Sequence, residues 1–541
     1  MFKNSYVIPK FGESNMGTTE FDDVISSATN FYKLSSEQQN NVKKLITVSK
    51  KFHTDAGISS TPVPDISAET LVIESGHQPN FIPYSGIWKK AFLLHHISSL
   101  IAKAGKQSCV FYGFADQNLS TASLLFRNQI PALNKTGSEK IGLKKIHDSN
   151  YKWKCFNKIE KPPLDIWQEE MKKIEDCYKL NLDKLDGGPF TTIDELGIYF
   201  EILWESYESA TTLSDLNAFF FAKVCEEILQ FDILFFRYSD VQKHKLFTEE
   251  WKKIFNNLNS FNTIYNRAVA ESHLDLNQVS MDTIPFWHHC NCGGKFLIKT
   301  SEQFILTGIC PLCQKEYHHT CNSQFSDIHK HLENMGFTAV TRNIILSEGI
   351  GTSIFVSGSG GSLKYSIISD LISSDLNFHI PLTMSWVSKD YYLGLVHKNG
   401  LQDLMKTYKI TLDDIISLET NDKINDHLSE LKKNLDMVKN EKTDKKLLKI
   451  QMNAYNNFVN VALNVKTSFS IIPSMIDMFA GIGHSLIVQT WCDAIEDCTI
   501  EKKHANLVKM VKNVCYEDKV LGIKSDDIKK IYDGIAGFKV P

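Results

Sequence analysis

The stretch from Leu71 to Gln129 constrains the fold of this chain more than any other part of it. It begins with a short apolar run, LVIESG, continues through the turn HQPNFIPYSG, and enters the segment IWKKAFLLHHISSLIAKAG. Apolar side chains recur in that segment at steps of four and three, which predicts a helix with one buried face. They are Ile87, Ala91, Leu94, Ile97 and Ile101. A second apolar run, SCVFYGFADQN, follows, and the order strand, turn, helix, strand predicts the opening of a parallel α/β sheet.

The turn after the first predicted strand is a candidate ligand site, because parallel α/β sheets bind ligands at the carboxyl ends of their strands. Glycine lets the backbone approach a ligand closely, and the following helix offers unpaired N–H groups and polar side chains suited to phosphate. The two turns after the first and second strands are expected to share one crevice. The candidate binding residues are Gly76, His77, Gln78, Asn80, Asp116 and Asn118. The alternative is a tight turn in which His77 caps the helix or satisfies a carbonyl.

A second glycine turn is expected where the parallel sheet resumes later in the chain. The segments GFTAVTRNIILSE, GTSIFVSGSGG and FHIPLTMSWVS each indicate a strand, and SLKYSIISDLISS between the last two indicates a helix. Gly358, Gly360 and Gly361 therefore lie at a strand-to-helix turn that can cradle phosphate, with Tyr365 beside them. The alternative is a flexible Gly/Ser turn without a ligand.

Four segments in this order resemble the landmarks of the BshC family, to which the cysteine-adding step of bacillithiol biosynthesis is assigned. They are SGHQPNFIPYSGIWKKAF, FYGFADQN, FRNQIP and FVSGSGGSLKYSIISDLI. The resemblance implies a Rossmann-like, HUP-type core related to class I aminoacyl-tRNA synthetases and nucleotidyltransferases, with a helical coiled-coil appendage. The first segment is also similar to the WbqC-like family, but the order of all four favours BshC.

What the resemblance implies is a ligase that binds ATP or ADP and joins cysteine or another amino acid to a small sugar-type acceptor. His77 and Asn80 would hold phosphate, Asp116 would orient a ribose or an amine, and the loop from Gly358 to Gly361 would close the site. Two alternatives stay open. One is a non-catalytic nucleotide- or RNA-binding protein on the same scaffold, and the other is a WbqC-like role in glycan assembly.

The chain departs from the family pattern where acidic groups are usual. His77 stands where the family has glutamine, Gln117 and Asn118 stand in place of an acidic cluster, and Ser362 replaces a glutamate in the late glycine loop. A ligase that handles ATP and an amino acid uses such acids for the amine or for magnesium. We therefore expect the nucleotide-binding shape of the site to be retained better than the ligase reaction of the family.

Residues 288–321 contain the most specific signal in the chain, HHCNCGGKFLIKTSEQFILTGICPLCQKEYHHTC. Two cysteine pairs are joined by the apolar segments FLIKT and FILTG, which predicts two metal-binding knuckles on a hairpin, a zinc ribbon. The predicted ligands are Cys290, Cys292, Cys310 and Cys313. Four thiolates close the coordination sphere, so the zinc is expected to be structural. The first pair has a shorter spacing than usual, which leaves His288, His289, His318, His319 and Cys321 as alternative ligands.

Composition places the chain among ordinary globular proteins. Its 541 residues suffice for about two to four domains, and the formal net charge of −4 disfavours nucleic acid or an anionic membrane as a partner. Nucleic acid stays open as an alternative because zinc ribbons also help tRNA synthetases to position RNA. The most apolar stretch, FSIIPSMIDMFAGIGHSLIVQTW, contains Pro473, Asp477 and His484 and predicts a buried helix hairpin rather than a membrane span. No export signal precedes the cysteines, so a cytoplasmic protein is expected.

The predicted organisation has six parts. They are an N-terminal segment and linker at 1–70, the first half of the Rossmann-like core at 71–130, a mostly helical insertion or core at 131–282, the zinc ribbon at 283–322, the second half of the core at 323–420, and coiled-coil and C-terminal helices at 421–541. The first part should pack on the surface, with one helix around Glu37 to Phe52.

The last part contains a predicted coiled-coil seam, Ile424, Leu428, Leu431, Leu435 and Val438, at alternating steps of four and three. Beyond it the chain forms either one long helix or an antiparallel pair that turns near Thr443. Because coiled-coil appendages often dimerise, a homodimer is the favoured assembly.

Overall fold

The computed structural model describes residues 33–59, 63–131, 138–143, 152–183, 193–271, 276–301, 304–322, 325–358, 361–385, 420–440, 445–470, 474–477, 484, 487–489 and 491–492. The strands in chain order are β1 (Leu71–His77), β2 (Ser108–Phe114), β3 (Arg127–Pro131), β4 (Ser138–Gly142), β5 (Leu234–Arg237), β6 (Thr283–His289), β7 (Lys295–Thr300), β8 (Ile305–Ile309), β9 (Glu316–Thr320), β10 (Met335–Phe337), β11 (Thr352–Ser357) and β12 (Leu382–Ser385). The helices are α1 (Ser36–Ala56), α2 (Ser85–Lys103), α3 (Leu164–Asp183), α4 (Ile193–Ser209), α5 (Leu213–Lys223), α6 (Tyr238–Lys243), α7 (Thr248–Asn256), α8 (Leu258–Glu271), α9 (Ala339–Ile350), α10 (Gly361–Leu376), α11 (Thr420–Asn440) and α12 (Lys445–Ser470).

Five strands form a parallel sheet in the order β12-β11-β1-β2-β5. Numbered by their place in the chain and taken from the β5 edge, these strands run 3-2-1-4-5. The first strand is therefore central, and the direction of winding reverses between β1 and β11. The predicted mixed α/β fold with a parallel sheet is confirmed.

Helices cover both faces of this sheet, and two hydrophobic clusters fill the space between the layers. Side chains alternate along a strand, so Ile73 of β1 packs into one cluster and Val72 into the other. The predicted apolar face of α2 lies in the first cluster and is fully buried. The aromatic run of α5 and β5 is buried there and in the second cluster; it comprises Phe219, Phe220, Phe221, Phe235 and Phe236.

The N-terminal helix α1 is part of the core, and the expectation that residues 1–70 pack on the surface is wrong for it. Its side chains Val42, Leu45 and Phe52 are completely buried. Ser49 donates a hydrogen bond to the carbonyl of Phe235 at 2.5 Å, and the Phe235 N–H donates to His53 Nε2 at 3.0 Å. Since β5 is the last strand of the sheet, these two side chains satisfy backbone groups that an open edge leaves unpaired.

The segment GFTAVTRNIILSE does not supply a strand to the parallel sheet, contrary to the prediction. Only its first residues belong to a strand, β10, which pairs antiparallel with β6, and the rest forms α9. The Thr338 side chain caps this helix by accepting from the Thr341 N–H, and Gly351 ends it at a φ of 60°. The capping residues therefore favour a helix here, although the β-branched residues of the segment favour a strand.

A second, antiparallel sheet has the order β10-β6-β7-β8-β9. The predicted hairpin of FLIKT and FILTG is confirmed as β7 and β8. The sheet extends beyond the predicted ribbon boundary at 322, because β10 joins it at the far edge.

The two long helices α11 and α12 pack against each other, with the rings of His427 and Phe458 4.7 Å apart. These residues lie at similar distances on either side of 441–444, so the chain forms an antiparallel pair rather than one continuous helix. Leu435 is buried in this pair, and Leu428, Leu431 and Val438 are half-buried. The side chain of Ile424 lies outside the described residues, as does Thr443.

Short described pieces of the late apolar stretch return to the core. Met475, Ile476, Ile487 and Trp491 are buried in the cluster next to α2, and buried Asp477 accepts a hydrogen bond from Tyr178. Among the described residues, no helix is both long and apolar enough to cross a membrane.

Candidate functional site

The two predicted glycine turns follow neighbouring strands. Strand β1 pairs in parallel with β11, with Ser75 opposite Val356, so Gly76 to Asn80 and Gly358 leave the same edge of the sheet. Gly361 begins α10 and Tyr365 is half-buried one turn later, whereas Gly360 lies outside the described residues. The expectation that both turns face one crevice agrees with this register.

Glycine is required at position 76 because a neighbouring side chain leaves no room for a Cβ atom. The sequence alone did not reveal this reason. A Cβ at Gly76 would lie 2.6 Å from Tyr238 Oη and 2.7 Å from the Gly113 carbonyl, and a Cβ at Gly113 would overlap Tyr238 Cζ. The Tyr238 ring therefore lies across the carboxyl ends of β1 and β2. Both glycines provide the space that the ring occupies.

Two cationic side chains converge on this end of the sheet. Lys90 of α2 is 5% exposed and donates a hydrogen bond from Nζ to the Gly76 carbonyl at 2.9 Å. Burial, and then the nearby charge of Arg342, lower the pKa of Lys90 to about 7. Arg342 of α9 lies over the Tyr238 ring, 5.2 Å from its centroid. An anion bound beside buried Lys90 would stabilise its charged form.

His77 is a neutral imidazole in this environment. Its Nδ1 lies 2.9 Å from the Gln78 carbonyl, and because a carbonyl only accepts, Nδ1 carries the proton. Burial, followed by the charge of Lys90, lowers the pKa of His77 to about 3. Nε2 therefore presents a lone pair, which suits a substrate N–H or O–H better than a phosphate oxygen.

Several buried polar atoms around the crevice have no hydrogen-bond partner among the described residues. They include both side-chain amide atoms of Asn80, which is 2% exposed, and the hydroxyls of Tyr112 and Tyr238. The Nε of Arg342 shares this property. Since a buried unpaired polar group costs about 1–3 kcal/mol, such a cluster indicates a place for a polar ligand or water.

The turns after β1 and β2 touch directly, as the sequence predicted. The Asn118 side chain donates to Gln78 Oε1 at 3.1 Å. Asp116 is 1% exposed, and its two carboxylate oxygens accept from the Ser239 N–H and from Asn157 Nδ2, each at 3.1 Å. Asp116 thus joins three segments of the chain, and its role in orienting a ribose or an amine stays a prediction.

Glu74 of β1 is a second buried acid. It is 1% exposed, its Oε2 accepts from the Thr352 hydroxyl at 2.9 Å, and burial raises its pKa to about 7. The charge of Arg342 opposes that rise. Glu74 therefore supplies a carboxyl group that changes charge near neutral pH, beside the cationic pair.

Sequence reasoning did not find Lys90, Glu74, Arg342 or Tyr238. Two of them carried a signal, because Lys90 occupies a position of the apolar stripe of α2 and Glu74 interrupts the apolar run of β1. A charged residue where the pattern demands an apolar one is a mark of a functional group. Arg342 was missed because its segment was interpreted as a strand. Tyr238 was missed because the residues that it contacts are distant from it in the sequence.

The four predicted zinc ligands come together in the second sheet. Their sulfur atoms all lie within 4.8 Å of one another, with Cys290 and Cys313 3.7 Å apart and Cys292 and Cys310 3.5 Å apart. A tetrahedron with metal–sulfur bonds of about 2.3 Å has edges of about 3.8 Å, so the spacing fits a metal ion. The cluster could therefore hold one.

The backbone of the two knuckles supports this arrangement. Gly293, at a φ of 87°, donates its N–H to the Cys290 carbonyl, and Gln314, at 60°, donates to that of Cys310. A Cβ at Gly294 would lie 2.5 Å from Cys310 Sγ and 3.3 Å from Cys292 Sγ. Glycine at this position therefore leaves the room that the thiolates and an ion require.

The first knuckle is hydrogen-bonded to the crevice loop that follows β2. The Cys155 N–H donates to the Gly293 carbonyl at 2.8 Å, and the Phe156 N–H donates to the Asn118 carbonyl at 2.9 Å. Lys295 donates directly from Nζ to the Gln117 carbonyl at 2.6 Å. The cysteine cluster and the crevice are thus neighbouring parts of one structure.

The alternative ligands do not join the cysteine cluster. His318 is exposed, and His319 belongs to a separate group with Asp327 and His331, whose ligand atoms lie within 4.8 Å of one another. Cys321 is buried, with Asp327 nearby.

No model of a known protein family matches the sequence, and no curated protein matches it. The likeness to the BshC and WbqC-like families therefore rests on the motifs alone.

Proposed function

We propose that this protein is a nucleotide-binding enzyme of the Rossmann-like, HUP-type class, which binds ATP or a related nucleotide where β1 and β11 diverge. The strand order 3-2-1-4-5 is that of the dinucleotide-binding sheet, whose ligands lie at the point where the order reverses. In this chain that point is flanked by Gly76 to Asn80 and by Gly358.

The observation that carries the proposal is that buried Lys90 donates its Nζ hydrogen bond to the Gly76 carbonyl, in the same turn that carries the buried, unpartnered amide of Asn80. The charge of Arg342 adds to burial in lowering the pKa of Lys90, and a phosphate group bound beside Lys90 would compensate both effects. Binding of that phosphate would also return Lys90 to its charged form. Nucleotide binding should therefore take up a proton near neutral pH.

The chemistry best suited to the remaining groups is the joining of an amine to an activated carboxylate, as the BshC resemblance implies. His77 Nε2 would accept a proton from the amine of the acceptor as that amine attacks the activated carboxylate of cysteine or another amino acid and displaces the phosphate group that activated it. Glu74 would balance the charge of Arg342 when the nucleotide leaves. The acceptor would be a small sugar-type molecule.

A non-catalytic nucleotide-binding protein is the second candidate, and the environment of Asp116 favours it. Both carboxylate oxygens of Asp116 accept hydrogen bonds from protein groups, and Gln117 and Asn118 replace the family's acids. Such a protein would keep the phosphate site and lack a group for magnesium or an amine.

The cysteine cluster would hold a structural zinc ion under this proposal. Four thiolates complete a tetrahedron and leave no position for substrate. The ion would stabilise the knuckle that holds Gln117 and Asn118 at the crevice.

The decisive experiment is calorimetric titration of the full chain with ATP and ADP, for wild type, Lys90→Met and Arg342→Met. Exposed Lys103 ends the same helix as Lys90, so Lys103→Met is the matched control. Loss of one charged contact should weaken binding about 10- to 100-fold, and Lys103→Met should bind as wild type does. Wild-type protein that binds neither nucleotide would reject the proposal.

A second measurement separates the enzyme from the binder. Incubation with ATP, cysteine and amino-sugar acceptors, followed by mass spectrometry, should reveal a product larger than the acceptor by one cysteinyl group. His77→Gln removes the base and should abolish that product while nucleotide binding persists. Binding without ATP turnover would favour the non-catalytic protein.

A further inference from the structure

A second group of metal-ligating side chains lies in the antiparallel sheet, away from the four cysteines. It consists of His319 on β9 and of Asp327 and His331 on the segment that follows β9. One ligand atom of each residue lies within 4.8 Å of those of the other two. Neither the cysteine cluster nor the crevice uses these residues.

The local backbone brings the three side chains together. Tyr317 and His319 face inward on β9 while the alternate residues His318 and Thr320 are exposed. Asp327 Oδ1 accepts from the Asn322 N–H at 2.9 Å, which holds Asp327 close to the end of β9. A short helical turn from Ile328 to Lys330 then places His331 one turn beyond Asp327.

The two imidazoles carry an unexplained feature. Their ring centroids are 3.7 Å apart, and the Nε2 atom of each ring is buried without a hydrogen-bond partner among the described residues. An imidazole nitrogen buried in this way is normally paired with a donor or a metal. Asp327 is 9% exposed, and its carboxylate is the nearby acidic group.

We propose that His319, Asp327 and His331 bind a second divalent transition-metal ion of the Zn²⁺ type. Two histidines and one carboxylate form the three-residue ligand set of metal sites that keep one position for water or substrate. Tetrahedral zinc–nitrogen and zinc–oxygen bonds of about 2.0–2.2 Å place ligand atoms about 3.3–3.6 Å apart, so small side-chain rotations close the observed group on an ion. Unlike the cysteine cluster, this site would have an open coordination position.

The two sites lie at opposite ends of one hairpin. His319 pairs with Leu306 on β8, whereas Cys310 and Cys313 lie in the turn beyond Ile309 at the other end. Four residues along a strand span about 13 Å, which is too far for shared ligands. Occupancy of one site can therefore be removed without removing ligands of the other.

The test is the total metal content of the full chain after dialysis and titration with Zn²⁺ alone, measured by elemental analysis and calorimetry. Wild type should hold two ions per chain. His331→Ala and Asp327→Asn should hold one, and the second variant keeps an oxygen that can accept from the Asn322 N–H. The matched control is His318→Ala, the exposed neighbour of His319 on the same strand, which should hold two.

Replacing zinc with cobalt shows which of the two sites has lost its ion in each variant. Only the cysteine cluster can give thiolate-to-cobalt charge transfer, so this absorption should persist in His331→Ala and Asp327→Asn. It should vanish in Cys310→Ser, which should still bind one ion. Circular dichroism and thermal unfolding establish that each variant is folded. A wild type that holds one ion, or equal metal content in wild type and in folded His331→Ala and Asp327→Asn, would overturn the proposal.

Discussion

Lys295 Nζ donates a hydrogen bond of 2.6 Å to the backbone carbonyl of Gln117, and this bond joins the antiparallel sheet that carries the cysteine cluster to the crevice of the parallel sheet. Lys295 is 4% exposed and follows directly after the first cysteine knuckle. Gln117 lies in the loop that carries Asp116 and Asn118. Order in the knuckle is therefore transmitted to the loop by this bond and by the hydrogen bonds of Cys155 to Gly293 and of Phe156 to Asn118.

Loss of one thiol should accordingly loosen the crevice loop. Cys310→Ser should lose its metal ion from the cysteine cluster, and the knuckle around Gly294 should open locally. Amide hydrogen exchange at 116–120 should then quicken, because two hydrogen bonds from the knuckle region hold that loop. The matched control is Cys177→Ser, which lies outside the cluster on α3. Unchanged exchange at 116–120 in metal-free Cys310→Ser would show that the loop is ordered independently.

Glu74 should make the protein less stable as the pH rises through neutrality. Its pKa is raised from 4.5 to about 7 by burial, so between these values the folded state binds a proton that the unfolded state has released. The unfolding free energy therefore falls with pH across this window, by about 3 kcal/mol in total for this group. Glu74→Gln should remove that dependence and be more stable than wild type at pH 8. If the unfolding free energies of wild type and Glu74→Gln, measured by chemical denaturation, changed with pH in the same way, Glu74 would not be the group responsible.

The glycines beneath Tyr238 should be intolerant of a methyl group. Gly113→Ala places a Cβ against Tyr238 and 2.8 Å from Phe236 Cζ, and should lower the unfolding free energy by about 1–3 kcal/mol. Tyr238→Ala removes the larger obstruction. The double variant should therefore lose less stability than the sum of the single changes. If the double variant lost as much unfolding free energy in urea as the two single variants together, Tyr238 would not fill this space.

The sequence predicted best the parts of the fold whose chemistry is local. Strands β1 and β2 and the helix between them were predictable because apolar runs, glycine turns and a helical stripe follow one another within fifty residues or so. The cysteine knuckles were predictable because thiolate spacing is itself a geometric requirement. The contact between Gln78 and Asn118 followed from strand polarity alone.

The remaining parts depend on contacts that spacing does not encode. Helix α9 is buried on nearly all sides, so its apolar residues do not form a stripe with helical spacing. Because the helix was not predicted, the position of its residue Arg342 was not predicted either. Tyr238 reaches Gly76 and Gly113 from more than a hundred residues away. Helix α1 was assigned to the surface because its role, covering the open edge of β5, exists only once the sheet has formed.

That edge provides the last prediction, which concerns His53. Its Nε2 accepts from the Phe235 N–H, and burial lowers its pKa from 6.5 to about 4. The unfolded state therefore binds a proton between these values that the folded state does not, and stability is lost as the pH falls from 6.5 towards 4. His53→Gln keeps an acceptor without titrating, so it should be less stable than wild type at pH 8 by about 1 kcal/mol and lose less on acidification. Exposed His244→Gln is the matched control. If wild type and His53→Gln lost equal unfolding free energy between pH 8 and pH 5, the edge of β5 would not depend on a neutral His53.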